Sequence, residues 1–495
     1  MLRPVALRRR GQLAALISKS MAQAASRAQA AHHKIDPRTL RTLRALLLNL
    51  ILRGQPRLKD LAQGLWPGKA TSVRSLENRL SYCLKASRYQ RAILTRAVRD
   101  TLWDRLPSRE VARFRGLAVV VVDPTPYPKR SRDRPRSMER ASGIYLSKGE
   151  GRKEGRGARG YQDAWASLVL KNGETFPLAR ALSQRWGYLR WALDSVCLWA
   201  AHSLRRRCIL LGDREVGTKG RCEKLARFGI HFCFRIRRDW KVFGERDEGY
   251  SLEEWWVKSS PLGEVKLRRL DLDQGRKRSR SRGRKGVLER ERGGVEGRRR
   301  SGRGGRDLLH RVYVLRAYPS PPSDSEVRIP FPHLQRPREP KAFWFVCALP
   351  LVEGGEEGAE VEEIDPLILV TDLPISSLKG AEELLKLYEL RWRIETSFQQ
   401  CKRELGLSRF TVRSLEAIER LLDLVMLAYA LLVVMLSSSE GRVLRAEAEG
   451  VLRRWSVRRP RGRLTVGKLK EVLVLDCWLN RDAWMTLLQC SGEFL

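Results

Sequence analysis

The chain has 495 residues, with 97 Lys and Arg against 56 Asp and Glu, a formal net charge of +41. That length rules out a peptide or tail and supports two to four domains with their own cores, and the positive excess calls for a polyanionic partner, nucleic acid first. Nine cysteines without a Cys-x-x-Cys pair, and six histidines without ligand spacing, argue against a disulfide framework or a structural zinc site and point to reduced cytosolic thiols.

Residues 1–35 carry no carboxylate and open with Arg8, Arg9 and Arg10, a composition that overlaps with organellar transit peptides. They read as a basic, disordered arm adding non-specific DNA affinity, or as a segment upstream of a true start at Met21. Residues 36–108 read as a helical DNA-binding domain. Asp36-Pro37 opens a helix with Leu40, Leu43, Leu46, Leu47, Leu50 and Ile51 at helical spacing. A Trp66-Pro67-Gly68 turn and a second helix from Thr71 to Leu84 make a unit of helix-turn-helix type. Arg74, Asn78 and Arg79 fall on its exposed side, toward phosphates or base edges; the plainer alternative is a helical subdomain with a solvated face.

Residues 109–236 read as the first part of an α/β core. Leu117–Val122 is an unbroken β-branched run that delivers Asp123 to a sheet edge. A hairpin turns through Asn172-Gly173, a helix covers Leu189–Leu204, and a strand at Cys208–Leu211 ends in Gly212-Asp213-Arg214. Strand, hairpin, helix, strand is the opening of a ribonuclease H-like fold, and a further strand covers Ile230–Ile236. Residues 237–365 read as a mainly β insertion. Within it the tract 276–306 holds 14 basic and 3 acidic residues and too little apolar area to order itself.

Residues 366–440 return to the core. Pro366–Thr371 is a strand ending at Asp372, and Ala381–Leu407 reads as one long amphipathic helix. On a helical wheel Tyr388, Arg391, Glu395 and Lys402 share about 60° of surface. This polar stripe borders the apolar one formed by Leu387, Leu390, Ile394, Phe398, Cys401 and Leu405. The apolar run Leu424–Leu436 is too short to span a bilayer and reads as a buried helix; residues 441–495 read as a C-terminal helical region.

Tyr388-x-x-Arg391-x-x-x-Glu395 with Lys402, standing downstream of Asp123 and Asp213, resembles the signature of bacterial insertion-sequence transposases of the Tyr-Arg-Glu-Lys type (insertion sequence family four) within the Asp-Asp-Glu superfamily. The resemblance covers roughly Asp36 to Glu440. It implies a ribonuclease H-like core in which Asp123, Asp213 and Glu395 are the catalytic, metal-holding carboxylates, and in which Tyr388, Arg391 and Lys402 grip phosphates. It further implies two Mg²⁺ ions, with Mn²⁺ able to substitute, double-stranded DNA as partner at element ends and target, a homodimer on DNA, and a cytoplasmic, nucleoid-associated protein without a membrane. Where the family continues from the second aspartate with Arg, Gly or Glu and an aromatic, this chain has Arg214-Glu215-Val216, which makes Glu215 a competing carboxylate.

The chemistry is consistent with that pattern. Close carboxylates repel by roughly 4 kcal/mol per pair at an effective dielectric of 20, so a cluster of three calls for a cation, and hard oxygens suit Mg²⁺. Two readings follow: an active transposase, or a catalytically inactive DNA-binding protein derived from one. A metal nuclease of the same fold, such as a resolvase, is a third. The intact Asp123, Asp213 and Glu395 favour the first.

Overall fold

The computed structural model describes residues 11–30, 37–54, 91–128, 144–145, 159–183, 188–244, 248–268, 307–320, 341–350, 366–407, 415–439, 441–455 and 464–480, with isolated positions between 56 and 80. The architecture is mixed α/β, and the chain divides into two compact units. The first comprises residues up to Val216, Phe228–His231 and Arg391 onward; the second comprises Gly217–Arg227 and Phe232–Leu390.

The first unit is built on strands β1 (Arg113–Phe114), β2 (Leu117–Pro128), β3 (Ile144–Tyr145), β4 (Arg159–Val169), β5 (Thr175–Ser183) and β6 (Cys208–Gly212). β2 lies between β4, antiparallel, and β6, parallel, while β4 also pairs β3 and β5 and β1 pairs β2. Val119–Val122 are fully buried, as expected of a strand covered on both faces, and each contributes about 1.5–3 kcal/mol of apolar transfer. The β4–β5 connection turns at Asn172-Gly173, with Gly173 at φ +82. Its amide donates to Leu170 O at 2.9 Å, and Leu170 N donates to Glu174 O at 3.0 Å, the three-residue hairpin in which glycine takes the left-handed position.

Helix α4 (Tyr188–Ser203) packs on β2, β4 and β5. Further helices described in this unit include α1 (Gly11–Ala30), α2 (Pro37–Arg53), α3 (Arg91–Trp103), α8 (Trp392–Glu404), α9 (Leu415–Ser437), α10 (Arg442–Trp455) and α11 (Val466–Leu479). Residues 11–30, expected as disordered arm, form α1 instead. Leu13, Leu16, Ile17, Met21, Ala24 and Ala28 are buried, and the helix packs on α3 and α2. α9 is long and apolar enough to cross a membrane, yet beyond its first turn it is buried among α2, α3, α8, α10, α11 and β5, as the central helix of a core is.

The second unit holds α5 (Lys219–Arg227), β7 (His231–Arg235), β8 (Lys241–Phe243), β9 (Gly249–Ser251), α6 (Leu252–Lys258), β10 (Gly263–Arg268), β11 (Asp307–Ala317), β12 (Phe343–Pro350), β13 (Leu367–Thr371) and α7 (Leu378–Glu389). β10, β11, β12, β13 and β7 follow one another as antiparallel neighbours. The strands read from sequence as an insertion and those read as core therefore form one sheet here. Asp372, which ends β13, accepts from Phe232 N at 3.1 Å and lies 3.5 Å from Lys341 Nζ, so it fastens β13 to β7. The Arg-rich tract 276–306 lies outside the described residues.

The single helix expected over Ala381–Leu407 is two. α7 starts earlier, where Ser377 Oγ accepts from Gly380 N at 3.2 Å, and it ends at Glu389. Leu390 and Arg391 keep right-handed dihedrals, but the amides of Leu390 and Ile394 reach back only three residues, to Leu387 O and Arg391 O. That tighter winding changes the residues per turn, so one wheel does not carry Tyr388 together with Glu395.

Candidate active site

Register sets the first pair of carboxylates. On parallel β2 and β6, Val121 is level with Leu211 and Val122 with Gly212, so Asp123 and Asp213 are the next residues along two adjacent strands. Across the other edge of β2, Asp123 is paired with Trp165 of β4. Asp213 leaves the sheet in a turn that its own side chain braces: Oδ1 accepts from Glu215 N at 2.9 Å and from Val216 N at 3.4 Å. Val216 is fully buried and lies against Gly212, where an added Cβ would come within 2.6 Å of Val216 Cβ. Val216, at the position where the resemblance led us to expect an aromatic, is thus the plug of this turn.

α8, which packs on β2 and β5, supplies Glu395 from its first turn. Arg391 precedes that helix, is 7% exposed, and joins the two elements: Nη2 is 2.8 Å from Glu395 Oε1 and Nη1 is 3.9 Å from Asp123 Oδ1. Its guanidinium also covers the Trp392 ring at 4.3 Å. Sequence reasoning assigned Arg391 to phosphate; in the folded chain its charge is directed at two carboxylates.

The electrostatics follow from this placement. Burial first, then Asp213, holds the Asp123 carboxyl well above the ordinary carboxylate range, with Glu395 and Glu215 adding and Arg391 opposing. Burial also raises Glu395, against the pull of Arg391 and with a push from Asp213. Asp213, Glu395 and Glu215 thus all oppose ionisation of Asp123, and Asp213 also opposes that of Glu395. Among the described residues no three His, Cys, Asp or Glu side chains are gathered closely enough to hold a metal ion. The donor chemistry nonetheless fits a hard cation, being all oxygen and crowded with like charge, and the Arg391 guanidinium already stands as the positive charge between Asp123 and Glu395.

Lys402 is half-buried, two turns beyond Glu395 on α8. Tyr388 is 1% exposed in α7 of the second unit. Arg74 and Asn78 are exposed and helical, while Arg79 lies outside the described residues.

Sequence reasoning missed a buried network behind the carboxylates. Asp163 Oδ2 accepts from Trp165 Nε1 at 2.7 Å, Arg180 Nε at 2.9 Å and Tyr127 Oη at 3.0 Å, and Arg180 Nη1 reaches Asp423 Oδ1 at 2.5 Å. Trp165 then meets Phe398 edge to face, with centroids 5.6 Å apart. The residue level with Asp123 thereby touches the helix that carries Glu395. Its only sequence signal was a strand, β4, with an aspartate at an apolar position.

A family model described as the transposase DDE domain matches residues 194–431, just under half of the chain. The match includes Asp213, Arg391, Glu395 and Lys402 and begins after Asp123; it supports a DDE transposase function, and domains of this kind generally use divalent metal ions. No curated protein matches the chain.

Proposed function

We propose that this protein is a DNA transposase of the Tyr-Arg-Glu-Lys type that cuts element ends by metal-dependent phosphodiester hydrolysis and joins the freed 3′-hydroxyl to target DNA. The observation that carries the reading is the register that leaves Asp123, inside β2, and Asp213, just past the end of β6, each one residue beyond the last parallel pair Val122–Gly212, with Glu395 tied to Asp123 through Arg391. The meander β2–β4–β5, helix α4 and parallel β6 are the order in which a ribonuclease H-like core begins.

Asp123, Asp213 and Glu395 would hold two Mg²⁺ ions, which when bound activate the attacking oxygen and stabilise the leaving one. The protein's own part is orientation. The brace on Asp213 fixes one carboxylate by backbone amides. Arg391 keeps Glu395 in place until a DNA phosphate takes over as its partner, a charge-assisted exchange that frees the Glu395 oxygen. Lys402, half-buried on the same helix as Glu395, grips a flanking phosphate, and Arg74, Asn78 and Arg79 contact the duplex further out. The protein acts as a homodimer on DNA, in the cytoplasm with the nucleoid.

Asp123→Ala, Asp213→Ala and Glu395→Ala are each expected to abolish strand breakage of end-bearing DNA in Mg²⁺ while duplex binding persists. Ca²⁺ is expected to support binding but little cleavage, because its looser geometry misplaces the oxygens. Cleavage surviving any one substitution removes that residue from the site. A wild-type protein that binds but never cuts would be the inactive DNA-binding derivative.

A further inference from the structure

The strands that carry Asp123 and lead into Asp213 start just after arginines. The chain runs into β2 from the turn after Arg113, Phe114, Arg115 and Gly116, and into β6 from Arg205, Arg206 and Arg207. Ala118 N donates to Arg207 O at 3.0 Å, which holds the starts of the two strands side by side. Arg113, Arg115, Arg205, Arg206 and Arg207 are all exposed, and among the described residues Arg205, Arg206 and Arg207 have no carboxylate partner.

The backbone makes this edge unusual. Among the described residues only three non-glycine positions have positive φ, and all three are arginines of this edge: Arg115 at 47°, Arg205 at 51° and Arg206 at 59°. Glycine or asparagine takes the left-handed region at lower cost, so three arginines of this edge hold a backbone conformation that costs energy, an outlier of the kind from which a functional hypothesis is drawn. The edge lies about 20 Å along β6 from Asp213, at about 3.3 Å per residue, too far for one phosphate to meet both.

We propose that this arginine edge is a second DNA-binding surface, which holds the backbone of a duplex segment other than the one at the carboxylates. It rests on the DNA reading above. Guanidinium forks match phosphate oxygens in shape and charge, and the starts of β2 and β6 place five of them on one end of the sheet. The surface carries no base-reading arrangement, so its contribution is electrostatic and independent of sequence.

The test uses the full-length protein and short duplex DNA of arbitrary sequence. Arg115→Gly/Arg205→Gly/Arg206→Gly removes three charges while suiting the left-handed backbone, and the same triple to Gln keeps side-chain length. Both are expected to fold, with an unfolding temperature at or above wild type for Gly. Both should lower the slope of log affinity against log salt by about 2–3, at about 0.9 per phosphate contact, and fail to capture a second labelled duplex onto bead-tethered DNA. The triple to Lys should keep the slope and the capture. Neutral triples with the wild-type slope and undiminished capture overturn the proposal; if one neutral triple fails to fold, the other decides. Wild-type protein that binds no duplex at all would instead bring down the DNA reading itself.

Discussion

Asp123 is the residue on which the local energetics turn. Its carboxyl is held above the ordinary range by burial and by Asp213, so the folded protein binds its proton more tightly than the unfolded chain does. A raised acid stabilises below its unfolded value, near 4, and loses that contribution as pH climbs through the folded value. At neutral pH without metal the ionised form is therefore a burden. Asp123→Asn is expected to raise the unfolding temperature of the metal-free protein by roughly 2–4 °C for each kcal/mol relieved, and to abolish cleavage. The gain should shrink as pH falls toward 4, where Asp123 is protonated in the folded state. Thermal unfolding of both proteins across that range measures it. A lower unfolding temperature for the variant at neutral pH would mean that the Arg391 contact outweighs the repulsion.

Among the elements that carry the carboxylates, the turn from β6 into residues 213–216 has little tolerance. A methyl at Gly212 would come within 2.6 Å of Val216 Cβ, a distance that forces either the valine or the turn to move. Gly212→Ala is expected to cost about 1–3 kcal/mol of stability as an overpacking change. Cleavage should fall more than tenfold, since a displacement of about 1 Å at a reacting group can cost a hundredfold. Gly212→Ala/Val216→Ala reopens the space and should recover part of both losses; a double variant no better than the single would place the strain elsewhere. β2 and β6 were legible because short unbroken apolar runs followed by Asp have few other readings, although β2 runs on past Asp123 to Pro128 on its ladder with β4, and Asn172-Gly173 announced its turn. The break at Leu390–Arg391 was not legible, since no Gly or Pro marks it and the winding tightens without leaving right-handed space. Nor was α1: its buried face is in part a seam of Ala14, Ala24 and Ala28, which composition alone reads as polar and small. Arg391 was found by its spacing, but its carboxylate partners come from β2 and from its own next turn, and only folding brings the first of them near.

At the scale of the first unit, a helix with almost no polar surface has to be seated in one register. α9 packs against five helices and β5, and apolar side chains alone would tolerate a slide along its axis. Asp423 supplies the missing specificity, paired with Arg180 of β5, which is itself bound to Asp163 of β4. The three side chains are 7%, 3% and 0% exposed, so removal of the cation strands two carboxylates away from water. Arg180→Met is accordingly expected to cost at least about 3 kcal/mol, the size of loss seen when a buried pair is broken. Asp163→Asn/Arg180→Met/Asp423→Leu leaves no buried charge in the network, while the Asn carbonyl still accepts from Tyr127 and Trp165. It should recover most of that stability. Recovery of stability and recovery of function are expected to part company here: Trp165 remains seated against Phe398, but α9 has lost the ion pair that fixed its register. Denaturant unfolding of the three proteins supplies the first quantity, and cleavage rates at saturating DNA supply the second. A triple variant as unstable as Arg180→Met would show that the network stabilises by net attraction, and equal recovery of both quantities would show that side-chain packing alone sets the register of α9.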